Sequence, residues 1–220
     1  GIQTDDDFSR AKIEDIHAER IAQALETGAI VVVAGFQGLS EDGNITTLGR
    51  GGSDTTAVAL AHGIHADVCE IYSDVEGIYS ADPRVAPRAR KLDVISYDDM
   101  LELSSAGAGV LQSRAVEFAR KYNVVIHSRS AFSDAEGTLI KEVDPSMEQA
   151  VISGVAHDTS EMKITLRGLS DETGTAAKVF SALAANKVSV DMIIQNAVSN
   201  GSANITFTFP SSQKDLALEV

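Results

Sequence analysis

The sequence predicts an α/β domain, a three-layer sandwich with a mainly parallel sheet, followed by a smaller α+β domain. Short, wholly apolar segments alternate with helical patterns between residues 29 and 127, which is typical of a parallel sheet covered on both faces. From residue 162 the pattern changes to alternating strands around an amphipathic helix. Residues 133–160 have the composition of a linker, so we predict domains at residues 1–145 and 146–220.

The composition narrows the possible functions. The chain has 220 residues, 44% of them hydrophobic, which is enough for two cores. Its net charge of −14 opposes a phosphate backbone, so we expect no nucleic-acid partner. No apolar run reaches the ~18 residues of a membrane span and no signal peptide is evident, so we expect a cytoplasmic protein without a membrane partner. The single cysteine, Cys69, is expected to be a buried strand thiol.

The elements of the first domain are predicted in order along the chain. A helix is expected from Ser9, its N-cap, to Gly28, followed by a buried strand at residues 29–35 and a loop at residues 36–44. A glycine-rich turn then leads into a helix at residues 54–62. Apolar runs and helical periods predict the remaining elements: strands at 66–72 and 123–127, and helices at 98–103 and 106–121.

The glycine-rich turn, residues 46–56, is the most informative local feature. Its glycines permit positive φ and a close approach of backbone to a ligand. Ser53 or Asp54 can cap the following helix, whose first N–H groups favour an anion. Arg50 adds a forked cation that suits a carboxylate or a phosphate. From composition alone, a flexible turn with a capping residue is an equally good interpretation.

A second loop, residues 73–84, follows the next predicted strand, at the edge where α/β sheets bind ligands. Asp74 and Asp82 could bind Mg²⁺ or orient a ribose, and Arg84 could meet a phosphate. The alternative interpretation is an Asx-turn with surface charges, and without the first loop it would be the better one.

The second domain has the predicted order β-α-β-β-α, one strand short of the ferredoxin-like unit. The elements follow from the alternation of polar and apolar residues in the strands and from the amphipathic helix between them. They are a strand at 162–168, a helix at 174–186, strands at 188–197 and 204–209, and a helix from 212.

A family resemblance rests on four runs of the sequence: residues 1–5, 45–54, 72–84, and 154–158 leading into 168–174. Across nearly the whole chain the sequence resembles the aspartate kinases of the amino acid kinase family, with a C-terminal ACT domain. The second and third runs together are highly specific for aspartate kinases among the amino acid kinases. The resemblance implies phosphorylation of the L-aspartate β-carboxylate to 4-phospho-L-aspartate, with ATP and Mg²⁺.

The resemblance also implies which residues form the sites. Arg50 would pair with a substrate carboxylate and Asp54 with the ammonium, in a pocket lined by Gly51, Gly52 and Ser53. The nucleotide would be held by residues of the second loop: Ser73, Asp74, Tyr79, Ser80, Ala81, Asp82, Pro83 and Arg84. An effector, lysine, threonine or both, would bind in the ACT domain at Asp171, Gly174, Thr175, Ala176, Ser189, Asp191 and Gln195. ACT domains would also join chains into an oligomer.

The sequence departs from the family pattern at several places. Nothing matches the Lys-Phe/Tyr-Gly-Gly motif whose lysine contacts the transferred phosphate, and the second ACT unit is incomplete. Gly109, Thr173 and Ser189 replace a usual lysine, proline and asparagine. We therefore expect little kinase activity from this polypeptide alone. Two alternatives stay open: another amino acid kinase, or a non-catalytic regulatory subunit that binds an amino acid.

Overall fold

The structure, a computed structural model, describes residues 1–143, 153–170, 172–198 and 202–220. These residues form two compact units, Gly1–His157 and Asp158–Val220. The domain boundary that we predicted at residue 145 lies outside the described residues and stays a prediction. In the described parts of the chain, no helix combines the length and the apolar surface needed to cross a membrane.

The first unit begins with a mixed four-stranded sheet. The elements in chain order are β1 Ile2–Thr4, β2 Ile13–Ile16, α1 Glu19–Glu26, β3 Gln37–Ser40 and β4 Ile45–Thr47. The strand order is β2-β1-β3-β4. The β1–β3 pairing is parallel, and the two outer pairings are antiparallel.

The predicted helix from Ser9 to Gly28 is only half correct. Its first part is β2, because Ile13 and Ile16 pair with β1, and long-range pairing overrides the local helical spacing. Ser9 is not a helix cap; its hydroxyl donates to the Asp7 carboxylate in a turn. The helix that does form is α1, and the chain turns after it at Gly28 with a φ of +79°, as predicted.

The predicted strand at residues 29–35 is wrong. These residues have no regular structure, and Ile30 and Val32 are 95% and 94% exposed. A strand needs a neighbour for its backbone hydrogen bonds, and no described strand pairs with this run. The predicted loop at residues 36–44 is also wrong in part, because β3 and β4 form a hairpin there around Gly43.

The second sheet of this unit has the order β5-β7-β8-β6. The predicted α/β class is confirmed, but the two sheets are mixed and not mainly parallel, since three of the six pairings between the named strands of the unit are parallel. The predicted helix at 106–121 begins later, at Ser113, because Gly107 has a φ of +105°. The elements are α2 Gly52–Gly63, β5 Cys69–Ser73, β6 Val94–Ile95, α3 Tyr97–Ser105, α4 Ser113–Tyr122, β7 Ile126–Ser130 and β8 Thr138–Ile140.

The core of the first unit is built mainly from α2, α3, α4 and the second sheet. Val58, Met100, Val116 and Ile126 are fully buried and belong to one cluster. Tyr97 is also buried, and its hydroxyl donates to the Val124 carbonyl at 2.8 Å, which satisfies the polar end of the ring. The core therefore fixes α2 and α4 beside β5, from which the second loop leaves.

Cys69 is buried in β5, as predicted. Burial, with a smaller contribution from the Asp54 charge, raises the pKa of its thiol to about 11 from an ordinary 9.0.

We expect Cys69 to resist a thiol reagent at pH 8 and to react at once in urea. The Cys69 thiol has a higher pKa in the folded protein than in the unfolded chain. Its contribution to the free energy of unfolding should therefore be complete below pH 9 and should be lost between pH 9 and about 11. Fast labelling of the folded protein at pH 8 would contradict this.

The second unit is an antiparallel sheet with two helices. Its elements are β9 Glu161–Ser170, α5 Thr175–Ala185, β10 Ile193–Val198, β11 Ser202–Pro210 and α6 Lys214–Glu219, in the sheet order β10-β11-β9. The predicted β-α-β-β-α order is confirmed. Leu183 of α5 and the inward face of β11, Ile205, Phe207 and Phe209, form its core.

Candidate functional site

The glycine-rich turn ends at α2, and its glycines are required by the backbone. Gly49 and Gly51 have φ values of +77° and +70°, a region that L side chains rarely adopt. Gly51 is the N-cap, and no side-chain hydrogen bond is described for that position. Ser53 and Asp54 therefore do not cap the helix, contrary to one sequence expectation, but lie in its first turn.

The start of α4 holds this turn in place. The Gln112 side chain lies directly on Gly51: a Cβ built there would come within 1.8 Å of Gln112 Cγ. The Arg114 guanidinium donates to the Leu48 carbonyl at 2.7 Å and to the Ala11 carbonyl at 2.6 Å. Sequence reasoning missed Arg114, although a cation in the first turn of a helix opposes the helix dipole and so indicates a specific partner.

Arg50 and Asp54 differ in their surroundings. Arg50 is exposed, whereas Asp54 is partly buried. Burial raises the pKa of the Asp54 carboxyl, and hydrogen bonds from the Gln112 backbone and the Ser53 side chain oppose that shift. A cation bound beside Asp54 would favour its ionised form. An exposed guanidinium and a sheltered carboxylate at one helix start can receive the two ends of a zwitterion.

We expect Gly51→Ala to destabilise the protein by about 3 kcal/mol, because the left-handed φ and the overlap with Gln112 both oppose a Cβ. Gly43→Ala is a matched control: Gly43 has a similar φ of +79°, but no described atom lies within 4 Å of its Cβ position. It should lose only about 1 kcal/mol. Urea unfolding measures both. Equal losses in the two variants would contradict the close contact with Gln112.

The second loop, which follows β5, surrounds a cavity of about 570 Å³. Seven of the eight positions predicted to hold a nucleotide line it: Ser73, Asp74, Tyr79, Ala81, Asp82, Pro83 and Arg84. Ser80 does not line the cavity and is used structurally instead, since its hydroxyl accepts the Arg90 N–H and its N–H donates to the Arg90 carbonyl. None of residues 50–54 lines this cavity, so the two predicted groups of residues do not share it.

Asp82 and Arg84 form a forked ion pair at this cavity. Arg84 Nη2 lies 2.8 Å from Asp82 Oδ2, and Arg84 Nε lies 3.0 Å from Oδ1. This pairing lowers the pKa of Asp82 to about 2. Both carboxylate oxygens are therefore engaged. A further cavity residue, Gly109, has no described atom within 4 Å of its Cβ position, so the cavity has room for a longer side chain there.

Thr138 fixes the base of the second loop, and sequence reasoning missed it. Its buried hydroxyl accepts the Ile78 N–H at 2.9 Å and donates to the Leu92 carbonyl at 2.5 Å. The same hydroxyl lies 2.5 Å from a Cβ built at Gly77, whose φ is +145°. Only glycine fits at that turn. Thr138 comes from a three-residue strand that has no distinct sequence pattern.

The predicted effector loop also borders a cavity, in the second unit, of about 290 Å³. Four of the predicted residues line it: Gly174, Thr175, Ala176 and Gln195. Gly174 is the N-cap of α5, with a φ of +98°. Ser189 and Asp191 are not among its described lining residues, and Asp171 lies outside the described part of the chain.

The structure shows an α/β unit with a cavity beside its second loop, followed by a small α+β unit with a cavity at the start of α5, and comparison with known proteins gives the family. The model of the amino acid kinase family matches residues 2–130, and a model of the ACT domain matches residues 156–220. The chain belongs to the amino acid kinase family.

Within that family the similarity is to aspartokinases. The chain is 52% identical to the aspartokinase of Mycolicibacterium smegmatis over all of its own length and 53% of that protein. It is similar to E. coli aspartokinase III in complex with aspartate and ADP (TM-score 0.69, 30% identity, 95% of this chain and 47% of that one). The lysine and aspartate complex of that enzyme gives a TM-score of 0.69 and 27% identity, over 99% and 51%. The chain thus spans about half the length of the curated relatives it matches.

Proposed function

We propose that the chain is part of an aspartate kinase, which transfers the γ-phosphoryl group of ATP to the β-carboxylate of L-aspartate. One observation carries the proposal: seven of the eight nucleotide positions surround one cavity, while the charged pair at α2 lies outside it. A kinase needs these two sites for its two substrates. The similar E. coli enzyme has been solved with both aspartate and ADP.

The amino-acid substrate would bind at the start of α2. Arg50 would take a carboxylate by two parallel hydrogen bonds, helped by the backbone N–H groups of the first helical turn. Asp54 would take the ammonium, and the positive φ of Gly51 would let the backbone place both charged side chains at the start of the helix. These contacts would orient the β-carboxylate, and phosphoryl transfer requires from a protein mainly positioning and neutralisation of charge.

The nucleotide would occupy the cavity of the second loop. Tyr79, Ala81 and Pro83 offer it an apolar surface, and Arg84 a cation. Mg²⁺ bound to the phosphates would neutralise charge as it develops. Among the described residues no group of three or more His, Cys, Asp or Glu side chains could hold a metal ion. Asp74, which also lines the cavity, would offer a carboxylate oxygen, whereas Arg84 engages both oxygens of Asp82.

Regulation would come from the second unit. A lysine or threonine carboxylate would sit at the N-terminus of α5, in the cavity that Thr175 and Gln195 line. The similar E. coli enzyme has been solved with lysine and aspartate in a T-state. Pairing of ACT domains between chains stays a prediction, and so does lysine or threonine as the effector.

A coupled assay of ADP release tests the function in the protein expressed from its complete reading frame. We expect release that depends on L-aspartate and MgATP, with little release for L-glutamate, and inhibition by lysine, threonine or both. ADP release that is independent of aspartate, or that is faster with glutamate, would contradict the proposal.

A further inference from the structure

Residues 153–157, which we call the strap, return from the end of the first unit to the second loop. The Val155 N–H donates to the Ser80 carbonyl at 2.8 Å. The Ser153 hydroxyl donates to the Asp99 carboxylate of α3 at 2.9 Å. Ala156 packs against the main core cluster. Three contacts of different kinds thus hold the strap against the second loop and α3.

The fit of the strap is tight at Gly154. A Cβ built there would lie 3.1 Å from the Ser80 carbonyl oxygen and 3.2 and 3.3 Å from the two Leu103 methyl carbons. These distances are shorter than ordinary van der Waals contact, so a Cβ there would require the strap or its neighbours to shift by a few tenths of an ångström. Gly154 therefore sets how closely the strap approaches the cavity.

The strap is also a wall of the nucleotide cavity. Val155, Ala156 and His157 line the cavity together with the second loop. The exposed imidazole of His157 is close enough to Asp82 to influence it: the pKa of Asp82 is lowered mainly by Arg84 and additionally by His157. None of these three strap positions was predicted from the sequence to hold a ligand.

We propose that the strap is part of the nucleotide site and that a ring nitrogen of His157 donates a hydrogen bond to a ribose or phosphate oxygen. The inference rests on the proposed function, because it places a nucleotide in this cavity. The ACT match begins at Ala156 and the second unit at Asp158. The strap would therefore contact the nucleotide and is continuous in sequence with the unit that would bind the effector.

Calorimetric titration with ADP tests the proposal in the protein expressed from its complete reading frame. We expect His157→Ala to weaken ADP binding by about 5-fold, through loss of one hydrogen bond. Gly154→Ala should weaken it by about 10-fold, through displacement of the strap. Aspartate affinity should stay within about 2-fold of the wild type in both variants, since the α2 start lies outside the cavity. Thr159→Ala, exposed and outside the cavity, is the control and should bind ADP as the wild type does.

The outcomes separate the two proposals. Wild-type protein that fails to bind ADP would overturn the nucleotide assignment itself. Wild-type protein that binds ADP, with His157→Ala and Gly154→Ala both unchanged, would overturn the strap alone. If Gly154→Ala does not fold, His157→Ala decides, because the exposed histidine can be removed without disturbing the core.

Discussion

Arg50→Ala is expected to weaken L-aspartate binding by at least about 30-fold while ADP binding stays within about 2-fold. Hydrogen bonds to a charged group contribute about 1.5–3 kcal/mol each, and the guanidinium would make two of them. At 1.4 kcal/mol for each factor of ten, about 2 kcal/mol in total gives the 30-fold loss. ADP is spared because Arg50 does not line the nucleotide cavity. Calorimetric titration with each ligand measures both effects.

Arg50→Lys is the matched variant for this prediction. Lysine keeps the positive charge but lacks the planar fork, so we expect an intermediate loss of aspartate affinity. Arg50 is exposed, so neither variant should change the urea midpoint. Loss of ADP binding together with aspartate binding would mean that Arg50 serves the nucleotide, and it would overturn the separation of the two sites.

Arg114→Met is expected to destabilise the protein by about 3 kcal/mol and to weaken aspartate binding as well. The substitution keeps an apolar stem but leaves the Leu48 and Ala11 carbonyls without their charged donor. Hydrogen bonds to charged groups contribute about 1.5–3 kcal/mol each, and partial exposure reduces the total. Leu48 lies in the glycine-rich turn two residues before Arg50, so its displacement moves Arg50. Urea unfolding and aspartate titration measure the two effects.

Arg88→Met is the control, because Arg88 is an exposed arginine of the same unit. It should change the free energy of unfolding by less than about 0.5 kcal/mol. The free energy of unfolding of Arg114→Lys should lie between those of Arg114→Met and Arg88→Met, because one ammonium cannot donate to both carbonyls as the guanidinium does. Full stability in Arg114→Met would show that the two hydrogen bonds do not hold the turn.

The sequence predicts the parts of the fold that depend on local pattern. The alternation in β11 and the amphipathic α5 are both found where they were expected. The predictions fail where the pairing of strands, and not the local pattern, determines the secondary structure. Ile13 and Ile16 have helical spacing but pair with β1, and the apolar run at residues 29–35 has no strand beside it in the described structure. Local pattern cannot show which neighbour a strand will find.

The residues of the candidate sites also differ in how far the sequence predicts them. The two loops could be located because each is rich in glycine or charge, and the structure places seven second-loop residues around one cavity. The residues that hold the loops could not be located. Arg114 lies 66 positions from Leu48 and Thr138 lies 60 from Ile78. Such contacts come from the packing of whole elements, which no short motif records.

We propose that aspartate and the nucleotide bind at two different loops. A crystal structure of the protein from its complete reading frame, with ADP and L-aspartate bound, tests it most directly. We expect the diphosphate beside Tyr79 and Arg84, with the aspartate carboxylate on Arg50 at the start of α2. A diphosphate bound at the start of α2, in contact with Arg50, would contradict the account.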